Sequence, residues 1–143
     1  MIGSWLDKLR DMRRRKTWTV ERANGRRGED LAHRFLKRQG FKIVARNYRT
    51  ASGGAEADLI AWERDILAIV EVKTRTSAEF GPPERAIGEE KRLHLLRAAR
   101  GYVRKTEVPW DRVRFDVVTV VLSHPPEITL IRDALPNAMR ATV

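Results

Sequence analysis

Glu56-Ala57-Asp58-Leu59-Ile60-Ala61-Trp62, then Glu63-Arg64-Asp65, then Ile66-Leu67-Ala68-Ile69-Val70-Glu71-Val72-Lys73 is the stretch that decides the fold of this chain. Two runs rich in β-formers flank a polar break, which is the pattern of two strands joined by a turn. Side chains alternate along a strand, so Glu71, Lys73 and Arg75 share one face, and Val70, Val72 and Thr74 the other. With Arg64-Asp65 as a two-residue turn, Asp58 falls opposite Glu71. Two carboxylates facing each other across a ladder repel. A divalent cation removes that repulsion, and a lysine two residues on can orient a water. That is a layout for metal-assisted phosphodiester chemistry. The bare residues are equally consistent with a hairpin-start aspartate and an ordinary polar strand face.

The neighbouring segments extend this hairpin into a domain. A helix is expected over residues 20–39, with Leu31, Ala32, Phe35 and Leu36 as its buried stripe and Gly40 as its left-handed stop. Glu29 projects toward the side of that stripe, where a carboxylate is costly unless paired or bound to metal. It reads either as an acid reaching the edge of the sheet or as a first-turn partner of Arg26. Residues 41–49 form a strand, and residues 50–54 a polar loop. A Gly81-Pro82-Pro83 loop over residues 77–83 precedes a second helix, residues 88–104, with Leu95, Leu96, Ala99, Tyr102 and Val103 on its core face. Lys91 lies one turn before Leu95 and either looks inward or stays solvated. Residues 113–122 are strongly β-branched and apolar on both faces, as in a central strand. Asp116 interrupts them, as an ion pair with Arg114 or as part of a site. A last strand covers residues 128–131, and residues 133–143 read as an irregular tail. The sum is an α/β sandwich with a central mixed sheet of about five strands flanked by helices.

Asp58 followed by Glu71-Val72-Lys73 resembles the PD-(D/E)xK nuclease signature. Gly25-Arg26-Arg27-Gly28-Glu29-Asp30-Leu31-Ala32, Arg46-Asn47-Tyr48-Arg49, Glu56-Ala57-Asp58-Leu59-Ile60-Ala61, Val70-Glu71-Val72-Lys73-Thr74-Arg75 and Arg114-Phe115-Asp116-Val117-Val118 surround it in order. This set resembles the bacterial YraN family, also called UPF0102, from about Gly25 onward. Ala57 stands where that family usually has a bulky aliphatic, Ala55 shifts the glycine-to-glutamate spacing, and Ala98 replaces a glutamine of some relatives. The resemblance implies a restriction-endonuclease-like fold, related to Holliday-junction resolvases. It also implies an endonuclease hydrolysing DNA phosphodiester bonds, on branched or repair intermediates. Asp58 and Glu71, with the Val72 carbonyl, are the expected ligands of Mg²⁺ or Mn²⁺. Lys73 is expected to orient the attacking water, and Glu29 to assist. Arg46, Arg49, Arg75 and Lys91 are the candidates for holding flanking phosphates. Resolvase relatives work as two-fold dimers, which makes a homodimer an open expectation.

Composition narrows the alternatives. With 29 basic and 19 acidic residues the net charge is +10, a field that attracts polyanions. There is no cysteine, so disulfide and thiolate chemistry are excluded. The three histidines are too scattered for a zinc site, and no phosphate-binding glycine loop or nucleophile elbow occurs, so no small-molecule cofactor is expected. No apolar run approaches the ~20 residues of a membrane span, nor is there a signal-peptide core, so the cytoplasm is the expected compartment. Residues 1–18 form a basic amphipathic segment around Ile2, Trp5, Leu6, Leu9 and Met12, separate from a nuclease-like domain over residues 19–143. Two further readings stay open: a non-catalytic nucleic-acid-binding module of the same fold, and an adaptor anchored through residues 1–18.

Overall fold

Five strands form one sheet in the order β1 (Lys42–Arg49), β2 (Glu56–Glu63), β3 (Ile66–Arg75), β4 (Val113–Val121), β5 (Glu127–Ile131). In this computed structural model residues 2–77 and 87–135 are described, with the backbone alone for residues 2–5 and 10–18. The Gly81-Pro82-Pro83 loop, the tail beyond Leu135 and the side chain of Trp5 lie outside the described residues. All pairings are antiparallel except β3 with β4, which run parallel. Between those two strands the chain passes through helix α2 (Glu89–Thr106). The architecture is the α/β arrangement expected, a mixed five-stranded sheet flanked by helices.

Helix α1 (Ile2–Arg38) covers one face and α2 the other. Ala32 and Leu36 of α1 pack on Leu59, Ala61, Val70, Val72, Val118 and Val120. Leu95, Leu96 and Ala99 of α2 pack on Ile60, Leu67, Ile69, Phe115 and Val117. The alternation of β3 is visible in this split: Val70 and Val72 face α1, while Leu67 and Ile69 face α2. Strand β4, flanked by β3 and β5, is buried on both sides, as its apolar run requires.

The first helix begins at Ile2 rather than near Val20. Residues 2–24 contain no proline, and arginine, lysine, leucine and methionine favour helix, so nothing local stops it. The boundary expected at residues 18 and 19 falls inside this continuous helix. Its C-terminus stops where expected. Gly40 takes φ +97°, Phe41 N–H donates to the Leu36 carbonyl at 2.9 Å and Gly40 N–H to the Lys37 carbonyl at 3.1 Å. This is the Schellman pattern, sealed by burial of Phe41 beside Leu36.

Two close approaches bring the helices to the sheet. A Cβ on Gly28 would lie 2.8 Å from both Thr74 Cβ and Thr74 Cγ2, so only glycine lets α1 reach β3 there. A Cβ on Gly101 of α2 would meet Thr50 Cγ2 at 3.2 Å. Beside it, Tyr102 meets Tyr48 of β1 edge-on, with ring centroids 5.3 Å apart.

Candidate active site

The β2–β3 hairpin turns through Arg64-Asp65, with Glu63 paired to Ile66, and its pairing ends at Leu59 with Val70. One step further along that register Asp58 stands opposite Glu71. Strand β2 stays with β1 as far as Arg49 and Glu56, so β2 and β3 part company at the two acids. A continued ladder would give Val72 N–H to Ala57. Instead that N–H donates to Asp58 Oδ2 at 2.8 Å. In a strand the N–H and C=O of one residue point to the same side, so the Val72 carbonyl faces the same gap.

Both acids are buried, Asp58 at 8% and Glu71 at 3% exposure. Lys91 Nζ from the first turn of α2 lies 3.5 Å from Glu71 Oε1, and Lys73 Nζ lies 3.8 Å from the same oxygen. Glu71 Oε2 is buried and finds no hydrogen-bond partner among the described residues. Burial first, and the neighbouring Asp58 carboxylate second, push the Glu71 carboxyl up to about 8, against the pull of Lys91 and Lys73. The shift persists despite two lysines because burial outweighs their attraction, and both approach the same oxygen, Oε1.

Glu29 enters from α1. Burial, then Asp58, raises its carboxyl above the usual range, while Arg46 and a hydrogen bond from the Asn47 side chain oppose the shift. Glu29, Asp58, Glu71, Lys73 and Arg75 line one cleft of about 720 Å³, together with Glu21, Asn24 and Gly25 of α1. The cleft therefore joins the splayed strand ends to the overlying helix.

The phosphate-holding candidates divide. Arg75 lines the cleft and Lys91 sits on Glu71. Arg46 is held by Asp30 at 2.5 Å and approaches Glu29 at 3.7 Å, so it braces the acid rather than reaching outward. Arg49 pairs with Glu56 at 3.5 Å and lines a different groove. Asp116 is drawn into an ion network at the far end of the hairpin. It takes two 2.8 Å hydrogen bonds from Arg114, whose guanidinium also donates to Glu63 at 2.7 Å.

Asn47 is the residue that sequence reasoning did not single out. It lies between the Arg46–Leu59 and Tyr48–Ala57 pairs of β1 and β2, which sets it opposite Asp58. Its φ is +52°, and its side chain bonds Glu29. Asparagine is a poor strand former that tolerates the left-handed region, and an Asn inside a β-rich run was the available signal.

Among the described residues no three His, Cys, Asp or Glu side chains converge as a ready metal cage. The donor set is two hard carboxylates with a carbonyl facing the same gap. This fits Mg²⁺ or Mn²⁺, since magnesium keeps several waters and takes only one or two protein carboxylates. The orphaned Glu71 Oε2 is the structural sign of that fit. Among the described residues no helix is long and apolar enough to cross a membrane.

The family model described as "Uncharacterised protein family UPF0102" matches residues 28–120. A UPF0102 protein of Solibacter usitatus is 52% identical over 134 residues, covering 94% of this chain and 99% of its own. UPF0102 proteins of Koribacter versatilis and Desulfosudis oleivorans are 47% and 42% identical, covering 77% and 82% of this chain and 77% and 94% of their own.

Proposed function

This chain belongs to the UPF0102 family, and from that premise and the geometry of the cleft we propose that it is a Mg²⁺- or Mn²⁺-dependent endonuclease of the PD-(D/E)xK kind, hydrolysing DNA phosphodiester bonds. The observation that carries the reading is the buried Asp58–Glu71 pair, opened by strand splaying, with one carboxylate oxygen that meets no donor. Two acids aimed into a basic protein's cleft offer phosphate no attraction of their own, whereas a divalent cation would displace the Glu71 proton and bind both.

Asp58, Glu71 and the Val72 carbonyl would hold the cation. When bound, it supplies Lewis-acid polarisation of the phosphate and makes water acidic enough to attack at neutral pH. Lys73, already within 3.8 Å of Glu71, orients the attacking water and offsets charge developing on the phosphate oxygens. Glu29, held by Arg46 and Asn47, faces the same cleft and takes the proton or a ligand water. Lys91 balances Glu71, and Arg75 holds a phosphate beside the cleft. The same reading places the protein in the cytoplasm and pairs two copies on a symmetric branched substrate.

A second reading has its own support. Two lysines already flank Glu71, and no third carboxylate completes a cage among the described residues. A non-catalytic module that grips DNA would need no more. Purified protein given linear, single-stranded, flapped and four-way DNA with Mg²⁺ or Mn²⁺ separates the two. The nuclease reading expects cleavage that disappears in Lys73→Ala and Glu71→Gln. Cleavage that survives in both variants exposes a contaminant, and salt-sensitive binding without cleavage transfers the conclusion to the binding module.

A further inference from the structure

A second basic groove lies away from the carboxylate cleft, between α2 and the loop joining β1 to β2. One lobe, of about 430 Å³, is lined by Thr50, Ser52, Arg97, Arg100 and Arg104. The adjoining lobe, of about 490 Å³, is lined by Arg49, Arg104 and Lys105. Both include Thr50 and Gly101, whose close contact forms their shared floor.

The charge here is only partly neutralised, since among the described residues Arg49 alone of the groove's arginines pairs with a carboxylate, Glu56 at 3.5 Å. Arg46, Arg92, Arg112, Arg114 and Arg132 each pair with a carboxylate. Among the described residues Arg97, Arg100 and Arg104 have no such partner, and the Nε of Arg100 is buried without an acceptor. A buried guanidinium N–H with no acceptor carries a desolvation cost that an incoming anion would relieve. The arginines recur at spacings of three and four along α2, so they stack on one side of the helix. Gly101 keeps that side low enough for the Thr50 loop to close against it, with the Thr50 and Ser52 hydroxyls 3.2 Å apart on the rim.

Helix α2 runs from the acid pair to the groove. Lys91, on Glu71, precedes the three arginines by a rise of roughly 9–20 Å along α2. At one phosphate per ~3.4 Å of duplex axis on each strand, that is about three to six nucleotides. We propose that Arg97, Arg100 and Arg104, with Arg49 and the Thr50–Ser52 loop, form a second phosphodiester-binding site, holding the sugar–phosphate backbone a few nucleotides from the carboxylate cleft. The inference rests on the nucleic-acid reading above, though not on cleavage. Guanidinium forks suit phosphate, and contacts of this kind position the polymer without reading its sequence.

The test is fluorescence anisotropy with a labelled 20-base-pair duplex and a four-way junction, in EDTA, from 50 to 300 mM salt. The full-length protein is compared with R97Q/R100Q/R104Q and with the single reversals R97E and R104E at exposed positions. The triple variant should bind at least about tenfold more weakly at low salt, with a salt slope shallower by about two to three. R97E and R104E should each weaken binding severalfold at an unchanged melting temperature. Parental affinity and slope in R97E, R104E and the triple variant would overturn the groove. A parent protein that binds neither DNA would overturn the groove and the proposed function together. Binding that depends on these arginines, in a protein that never cuts, would uphold the groove and sink only the nuclease reading.

Discussion

Glu71 keeps its proton because burial and Asp58 both oppose ionisation, and this makes it a stability sensor as well as a candidate ligand. Its ordinary value is 4.5 and its folded value about 8. The folded state therefore holds a proton that the unfolded chain has lost across that window. The stability this contributes is complete below pH 4.5 and is lost as pH rises through about 8. Glu71→Gln, which cannot ionise, should melt about 5 °C or more above the parent at pH 9 and near it at pH 4.5. Addition of Mg²⁺ at pH 9 should raise the melting temperature of the parent and leave that of Glu71→Gln unchanged; thermal shift measurements check both. Asn47 gives a second residue-scale prediction. Asn47→Gly keeps the left-handed backbone without the amide, so it should fold normally yet weaken the Mg²⁺-induced shift, because Glu29 loses a brace. Asn47→Ala should lose both that shift and about 1 kcal/mol of stability, since alanine is strained at φ +52°.

At the scale of elements, α1 can approach β3 only through Gly28. Exchanging a helix-interior glycine for alanine ordinarily gains about 1 kcal/mol. Here the new methyl would overlap Thr74 side-chain atoms that sit on a strand backbone and cannot swing away. Overpacking of that kind costs about 1–3 kcal/mol, so it outweighs the propensity gain. Gly28→Ala should therefore lower the denaturation midpoint in urea, and should reduce DNA cleavage further than stability alone explains, because Glu29 is the next residue on the displaced helix. A melting temperature at or above that of the parent would show that α1 does not bear on β3 at this point.

For the molecule as a whole, the network at the far end of the hairpin ties β2, β4 and the chain just beyond β5 together. Glu63 takes hydrogen bonds from both Arg132 and Arg114, while Asp116, with a fully buried side chain, takes Arg114 and the Asp133 N–H. The guanidinium of Arg132 first, and that of Arg114 after it, hold the Glu63 carboxyl down at about 2. That contribution is present above pH 4.5 and is lost as pH falls through about 2. Glu63→Gln should be less stable than the parent at pH 7 and should lose less of its melting temperature between pH 4.5 and pH 2. Arg114→Ala strands Asp116 as a buried charge, which costs about 3–5 kcal/mol and should be evident in chemical denaturation at pH 7.

Much of this molecule is written locally. The hairpin over Glu56–Arg75, its two-residue turn, the Gly40 stop and the doubly apolar β4 follow from alternation, turn chemistry and β-branching, which act between near neighbours. The alternation alone puts Glu71 and Lys73 on one face and Val70 and Val72 on the other. The helix start was not legible in that way: the basic amphipathic run over residues 1–18 read as a segment apart, yet residues 2–24 carry no proline and one helix runs through them. The splay between β2 and β3 is likewise non-local. It depends on Asp58 capturing the Val72 N–H, on β1 holding β2 away, and on α1 and α2 closing over the gap from opposite faces. The positions of Lys91 against Glu71 and of the α2 arginines against the Thr50 loop depend on how a helix seats on a sheet. Packing of residues distant in the chain decides that, and no local pattern encodes it.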